Sequence, residues 1–272
     1  MRNLFLPILI FCLLLCITGC EPEQKEIRIG GIKYLNVTEE TLDKLSRDNN
    51  SKVKRKHIFF DNMINMVAAL EAKKIEEMSI YRTVALYFVA HDSDLHWDIS
   101  EPVVADVFCC AVRAEDTLLK NRLDEAILQI TKNGTLTKLV RRYLGEAISG
   151  KEPPMVDMPN FPLMPTIRIG VTGDLPLLDY IRPDGRPAGF NTALLAEISR
   201  IMNVNFEMVQ VESGARAIAL TSKQVDVIFW AVVPYKDSLM PENFDTPEGI
   251  ILTEPYFRDD IVHVKLMKNS QD

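Results

Sequence analysis

Few residues in this sequence have the types and spacing that catalysis or metal binding requires. The four histidines are scattered, and Cys109 and Cys110 are adjacent in an alternating run, so neither set has metal-ligand spacing. The chain also lacks a defensible Ser/His/Asp or Cys/His arrangement and a glycine-rich phosphate loop. Asp174 and Asp237 form one carboxylate pair that could do acid–base work. The sequence therefore predicts no enzyme, no cofactor and no metal site.

The adjacent cysteines are interpreted as two small apolar residues of a strand. Successive strand side chains point to opposite faces, so Cys109 and Cys110 are badly placed to bond to each other.

The first twenty residues predict a lipoprotein signal peptide at 1–19. Arg2 precedes an apolar run from residue 4 to 17, which is too short and wrongly flanked for a membrane span. The run leads into Gly19-Cys20, which resembles a bacterial lipobox. This resemblance implies cleavage before Cys20, lipidation of its sulfur, and a tether at 20–26 that holds the protein on the extracytoplasmic (periplasmic) side of a membrane. An ordinary signal peptide with a chance cysteine is the alternative.

The charge balance argues against a nucleic-acid partner. The chain has 31 basic and 38 acidic residues and a formal charge of −7. The basic patch at 52–57 is short, and we interpret it as a solvated loop, whereas non-specific nucleic-acid binding needs clustered Lys and Arg.

Two stretches carry the predicted elements. The stretch from Thr166 to Lys236 alternates between strand and helix periods, which is typical of an α/β lobe with a parallel sheet. Its predicted elements are a strand at 167–171, a turn-rich segment at 173–185, a helix around 194–202, a strand at 206–211, a helix at 214–222 and a strand at 225–230. The earlier stretch predicts strands at 27–32, 56–60 and 75–80, helices at 38–45, 62–72 and 83–89, an extended run at 99–112, a helix capped by Asp116, and a last helix at 135–144.

These stretches resemble the family 3 solute-binding proteins, the periplasmic receptors that deliver amino acids and similar solutes to ABC importers. "IRIGVTGDLPLLDY", "DGRPAGFNTALLAEISRIMNV" and "SKQVDVIFWA" are similar to the first lobe of that family. "NMINMVAALEAKKIEEMSIYRTVALYFVAHDSDL" is similar to the second lobe, and the run from "EPVVADVF" to "RRYLG" is similar to the C-terminal end. The resemblance implies an α/β, two-lobed fold of the type II periplasmic-binding-protein kind, with a ligand cleft between the lobes.

The lobes come in reversed order, which predicts a circular permutant that is a monomer. Ser100-Glu101-Pro102 and Thr253-Glu254-Pro255 each introduce a hinge-like strand. The expected domains are a second-lobe-like segment at 27–108, a hinge strand and C-terminal helices of the first lobe at 109–147, a proline-rich linker at 148–165, a first-lobe-like segment at 166–259, and a second hinge strand at 260–272. Two incomplete repeats, or a dimer that completes itself in trans, are the alternative.

The ligand residues implied by the resemblance depart from the family pattern. Ser238 falls where the family has an arginine that clamps the ligand carboxylate, and Tyr81 falls near the aspartate that takes the ammonium group. A pocket that stacks an aromatic or heterocyclic solute, with Arg82 or Lys236 holding an anionic group, is expected instead. Tyr34 is a further candidate for its lining. The expected ligand-binding residues are Tyr81, Arg82, Asp174, Leu178, Trp230, Val232, Tyr235 and Lys236.

The predicted function is a lipid-anchored solute-binding protein that captures a small polar or aromatic solute between its lobes. Its expected partners are the solute, a membrane, and an ABC permease or membrane sensor. A protein-interaction descendant that no longer binds solute is one alternative, and a dehydratase-like enzyme on the same fold is another.

Overall fold

The computed structural model describes residues 26–48, 53–91, 97–149, 151, 153–182, 184–235, 240–241 and 243–267. The predictions for Cys20, Lys236, Asp237 and Ser238 therefore lie outside the described residues. Within those ranges, no helix has the length and apolar character needed to cross a bilayer.

Ten strands form one curled mixed sheet, and three short strands form a second sheet. The strands are β1 Glu26–Ile32, β2 Lys54–Phe60, β3 Glu77–Tyr81, β4 Trp97–Ile99, β5 Val104–Arg113, β6 Thr166–Val171, β7 Asp174–Leu175, β8 Asp179–Ile181, β9 Pro187–Ala188, β10 Asn205–Gln210, β11 Val227–Pro234, β12 Ile250–Leu252 and β13 Phe257–Leu266. The α-helices are α1 Glu39–Asp48, α2 Met63–Glu71, α3 Arg82–His91, α4 Thr117–Lys132, α5 Thr135–Leu139, α6 Phe190–Met202 and α7 Arg216–Thr221.

The two ends of the large sheet repeat one strand order. At one end, β2, β1 and β3 are parallel neighbours, followed by antiparallel β13 and then β4. At the other end, β10, β6 and β11 are parallel neighbours, followed by antiparallel β5 and then β12. Each end is a lobe: the first lobe is centred on β6 and the second lobe on β1.

The two long strands β5 and β13 connect the lobes. β5 follows the second-lobe strand β4 but pairs with β11, while β13 follows the first-lobe strand β12 but pairs with β3. They also pair with each other, with Phe257 opposite Phe108. The two proline-containing segments take equivalent positions, because Val103 N donates to Ile261 O at 2.8 Å and Tyr256 N donates to Phe108 O at 2.9 Å. Neither lobe is complete without a strand from the other half of the chain.

Most predicted elements appear within a few residues of their expected bounds, and the amphipathic faces point inward. Leu123, Ile127 and Ile130 of α4 are buried, as predicted from their spacing. Cys109 and Cys110 are both free and buried in β5, and burial raises the pKa of the Cys109 thiol to about 12. They therefore pack as apolar side chains, as interpreted from the sequence.

Two local predictions were wrong in detail. Asp116 stands at the N-cap of α4 but makes no capping hydrogen bond. Its carboxylate lies 2.6 Å from Nη2 of Arg113, since that buried guanidinium needs a counter-charge. The helix expected at 135–144 begins as α5 and continues as a π-helix over Val140–Gly145.

Candidate ligand site

A cavity of about 820 Å³ lies at the carboxyl ends of β1, β2 and β3, where the second lobe faces the first. Tyr34 and Tyr81 reach it from the second lobe, and Leu175, Trp230 and Tyr235 reach it from the first-lobe half of the chain. Parallel strands that end together leave such a crevice outside their carboxyl ends. The volume is within the range of natural small-molecule sites, about 300–1,000 Å³.

Aromatic rings form the interlobe end of this cavity. The rings of Tyr34 and Trp230 are stacked, with centroids 6.5 Å apart and planes at 30°. Tyr81 meets Trp230 edge-on at 5.8 Å, and Phe59 meets Tyr34 edge-on at 6.1 Å. The indole Nε1 of Trp230 is buried and has no acceptor at hydrogen-bonding geometry among the described residues. This end therefore offers an aromatic wall to a solute ring.

A buried carboxyl group orients two of these rings. Asp106 of β5 is 2 % exposed and accepts hydrogen bonds from the hydroxyls of Tyr81 at 3.2 Å and Tyr34 at 3.4 Å. Burial raises the pKa of Asp106 to about 7, against the opposing effect of the two hydroxyls. Because Tyr34 follows β1 and Tyr81 ends β3, Asp106 fixes the spacing between side chains of two different segments.

Arg216 crosses from the first lobe to the second and was not predicted as a site residue. Its side chain is 1 % exposed and lies over the ring of Trp230, with Cζ 4.3 Å from the centroid. Its guanidinium donates to the carbonyls of Ser213 (3.1 Å), Trp230 and, across the cleft, Lys33 (2.7 Å). The sequence held one signal for it: in the predicted helix, Arg216 shares a face with the apolar Ala219 and Leu220.

Further hydrogen bonds join the lobes directly. Oγ of Ser213 donates to Asp61 O at 2.7 Å, and Met63 N donates to Oδ2 of Asp174 at 2.5 Å. Burial raises the pKa of the Asp174 carboxyl group, and this amide partly offsets the rise. The cleft is therefore closed by the chain's own groups.

The expected ligand residues divide into two groups. Tyr81, Trp230 and Tyr235 line the cavity, and so does Tyr34. Leu178 and Val232, each 1 % exposed, lie in the core, and Arg82 is exposed at the start of α3. Asp174 does not line the cavity. It accepts a hydrogen bond from the backbone amide of Met63, which does line the cavity.

Residues 167–238 match the model of the bacterial extracellular solute-binding proteins, family 3. The match covers about a quarter of the chain and confirms the resemblance over the first-lobe segment. With the strand order of the two lobes, it identifies the fold as the two-lobed type II periplasmic-binding-protein fold. Among curated proteins, no sequence matches the chain.

Solved structures with this general architecture are distant. The ligand-binding component of an ABC-type import system from Staphylococcus aureus has 14 % identity and a TM-score of 0.42, over 89 % of this chain and 66 % of that one. The GluR0 ligand-binding core in complex with L-glutamate has 9 % identity and a TM-score of 0.41, over 91 % and 87 %. The oxidised form of OxyR has 10 % identity and a TM-score of 0.46, over 91 % and 89 %. Similarities this low transfer neither a ligand nor an activity.

Proposed function

We propose that this protein captures a small polar or aromatic solute in the cavity between its lobes. The observation that carries the proposal is the interlobe cavity itself, lined by Tyr34, Tyr81 and Trp230 at the carboxyl ends of the sheet strands. The family match over 167–238 supports a solute-binding role. The ring-lined wall favours a solute that contains a ring over a small free amino acid.

A thermal-shift screen tests this proposal. The chain from Glu21 onward is heated with amino acids, organic acids, nucleosides and polyamines. A ligand at about 100 times its Kd adds about 2.7 kcal/mol of stability, which raises the Tm of a protein of this size by roughly 5–10 °C. Tyr235→Ala, at a half-exposed wall position, should reduce the shift, whereas Arg82→Ala, away from the cavity, should leave it unchanged. If no compound raises the Tm of ligand-free protein, the result would contradict solute capture.

We also propose that the mature protein is anchored through a lipid on Cys20 at the extracytoplasmic face of a membrane, where an ABC permease or a membrane sensor is its partner. The lipobox-like run that ends at Gly19-Cys20 supports this. When cells are grown with radiolabelled palmitate, the natural chain should carry the label and the Cys20→Ala variant should not. Label on both chains, or on neither, would contradict the anchor.

We infer that the chain is a circular permutant of a solute-binding protein. The supporting observation is that β5 and β13 each leave one lobe to complete the other, so that the halves form one molecule. In addition, Met267 and Ile27 lie level with each other at the same end of the sheet. Their strands, β13 and β1, lie on either side of β3, so the two residues are about 10 Å apart. A short segment could therefore join these ends.

The alternative function, a descendant that interacts with a protein and no longer binds solute, has one observation in its favour. Arg216, Ser213 and Asp174 close the cleft with groups of the chain itself. A flat solute screen, combined with capture of a membrane protein by in-cell crosslinking, would select it.

A further inference from the structure

The cavity extends from the aromatic end onto one face of the second-lobe sheet. Four laterally paired residues line it there. Phe59 of β2 pairs with Gly31 of β1, Gly31 pairs with Ser79 of β3, and Ser79 pairs with His263 of β13. The two middle residues are small and the outer two carry rings. This row therefore forms a trough across the sheet.

Two histidine–carboxylate pairs border the trough. Nδ1 of His57 lies 2.8 Å from Oδ1 of Asp43, and Nδ1 of His263 lies 3.1 Å from Oε2 of Glu77. Both imidazoles line the cavity and are largely shielded, with side-chain exposures of 12 % and 15 %. An ionised carboxylate can only accept, so each Nδ1 carries a proton, and Nε2 is the atom of each ring that can accept a hydrogen bond from a ligand. The two histidines thus offer lone pairs to a ligand.

We propose that this trough is a second subsite of the same cavity, which accepts hydrogen bonds from hydroxyl or amine groups of a solute whose ring lies at the aromatic end. The inference rests on the proposed solute-binding function and names the solute class: an aromatic or heterocyclic ring bearing a neutral, hydroxyl-rich group, as in a nucleoside or an aryl glycoside.

The length of the cavity limits the solute. Tyr81 marks the aromatic end on β3, and Ser79, paired with His263, is two residues away along that strand. His57 of β2 lies in the same row of the sheet as Glu77 of β3, and Glu77 is two residues beyond Ser79. At about 3.3 Å per residue, the two histidine acceptors lie roughly 7–13 Å from the aromatic end. A free amino acid is too short to reach both ends, whereas a ring with an attached sugar spans them.

The fixed charges around the trough favour a neutral group. Arg55 is the cation on β2 that faces this end, while Asp43 and Glu77 are anions already paired with the imidazoles. Lys265 on β13 pairs with Asp98 at 3.3 Å. Glu101, Arg258 and Asp260 also line the cavity, so its charged groups are of both signs and favour a solute without net charge. Burial also lowers the pKa of His57, which keeps its ring neutral and its Nε2 an acceptor at pH 7.

Matched probes test the subsite by calorimetry on the full mature chain. Adenine and phenol carry the ring alone, whereas adenosine and phenyl β-glucoside add a neutral hydroxylated group. Each added neutral hydrogen bond is worth about 2–10-fold in affinity. We therefore expect at least one hydroxylated probe to bind roughly tenfold or more tightly than its ring. His57→Leu and His263→Leu should remove this gain and leave ring affinity unchanged. His91→Leu, outside the cavity, is the matched control.

A second measurement uses the natural protein, in case a leucine variant fails to fold. The ¹⁵N resonances of His57 and His263 should report protonated Nδ1 and unprotonated Nε2, and the hydroxylated probe should shift both Nε2 signals.

The outcomes separate the two proposals. If adenine or phenol binds, and adenosine and phenyl β-glucoside have no higher affinity, the subsite is overturned and solute capture stands. The opposite tautomer, with Nε2 protonated, also overturns the subsite. If neither these probes nor the wider solute screen shows any binding, solute capture itself is overturned, and the subsite with it.

Discussion

Arg216 is a buried cation that donates to three backbone carbonyl oxygens in the part of the chain that the structure describes. Hydrogen bonds to a charged group are worth about 1.5–3 kcal/mol each, and part of that offsets the cost of burying the charge. The partner at Lys33 belongs to the other lobe, so this residue contributes both to folding and to lobe contact.

Arg216→Met should lower the free energy of unfolding by about 3 kcal/mol, because methionine cannot donate to the buried carbonyls of Ser213 and Trp230 or to the part-buried carbonyl of Lys33. Urea unfolding followed by tryptophan fluorescence measures the change. Arg82→Met, on the surface at the start of α3, should change stability by less than about 0.5 kcal/mol. Equal effects of the two substitutions would show that the contacts of Arg216 are not formed in solution.

Buried carboxyl groups near the cleft should make stability fall as the pH rises. Burial raises the pKa of Asp106 to about 7 and the pKa values of Asp179, Asp245 and Asp259 to about 6. Unfolded aspartate titrates near pH 3.9. The native state therefore holds more protons than the unfolded state between about pH 4 and 7, and the stabilisation present below pH 4 is lost across that interval.

Asp106→Asn should reduce this pH dependence, since the amide still accepts from Tyr34 and Tyr81 but does not titrate. Each group contributes at most about 1.4 kcal/mol per pH unit. We expect urea unfolding of the variant to depend less on pH between 5 and 7 than that of the natural chain. Asp98→Asn, at a surface position with a side chain that is 48 % exposed, is the control. An unchanged slope in Asp106→Asn would contradict the raised pKa.

At the scale of elements, the junction of β9 and α6 depends on one glycine. Gly189 has φ of 97° and ψ of −176°, a region that is essentially restricted to glycine. A Cβ there would lie 2.8 Å from Leu177 O and 2.9 Å from Leu178 O, which accept the first amides of the helix from Phe190 and Asn191. Gly185 also has positive φ, at 79°, but a Cβ there would meet nothing within 4 Å.

This contrast gives a matched pair of substitutions. Gly185→Ala should cost about 1–2 kcal/mol through backbone strain alone. Gly189→Ala should cost about 3 kcal/mol or more, because the backbone must also move away from two carbonyls. Denaturant unfolding of both variants measures the difference. Similar costs would mean that the helix start tolerates a shift.

At the scale of the whole molecule, the crossing of β5 and β13 makes the halves interdependent. A reordered chain tests this directly: 166–267, about six Gly/Ser residues, then 26–149. Such a linker has a mean reach of about 13 Å, enough for the roughly 10 Å gap. We expect a monomer with the circular dichroism spectrum of the natural chain. Light scattering checks the mass of both chains, and a strand-exchanged dimer of the natural chain would support the trans-completing alternative.

The sequence by itself determined the elements and their order. Hydrophobic period, glycine and proline positions and local caps act over a few residues, so β1, α2, α4 and α6 were predicted close to their observed bounds. The reversed order of the lobes is a prediction from the sequence alone, because the motifs on which it depends lie within short stretches. Tyr81, Trp230 and Tyr235 line the cavity. Tyr81 ends β3, Trp230 lies within β11 and Tyr235 follows it, so all three lie in or next to strands that the sequence predicted.

Only the tertiary structure decided which side chains meet. Arg216 and Lys33 are 183 positions apart, and Met63 and Asp174 are 111 apart, so no local pattern could pair them. The trough depends on register across four strands, which places Phe59, Gly31, Ser79 and His263 in one row. Two strands that cross between lobes bring distant segments together, and that crossing results from packing over the whole chain rather than from any single stretch of sequence.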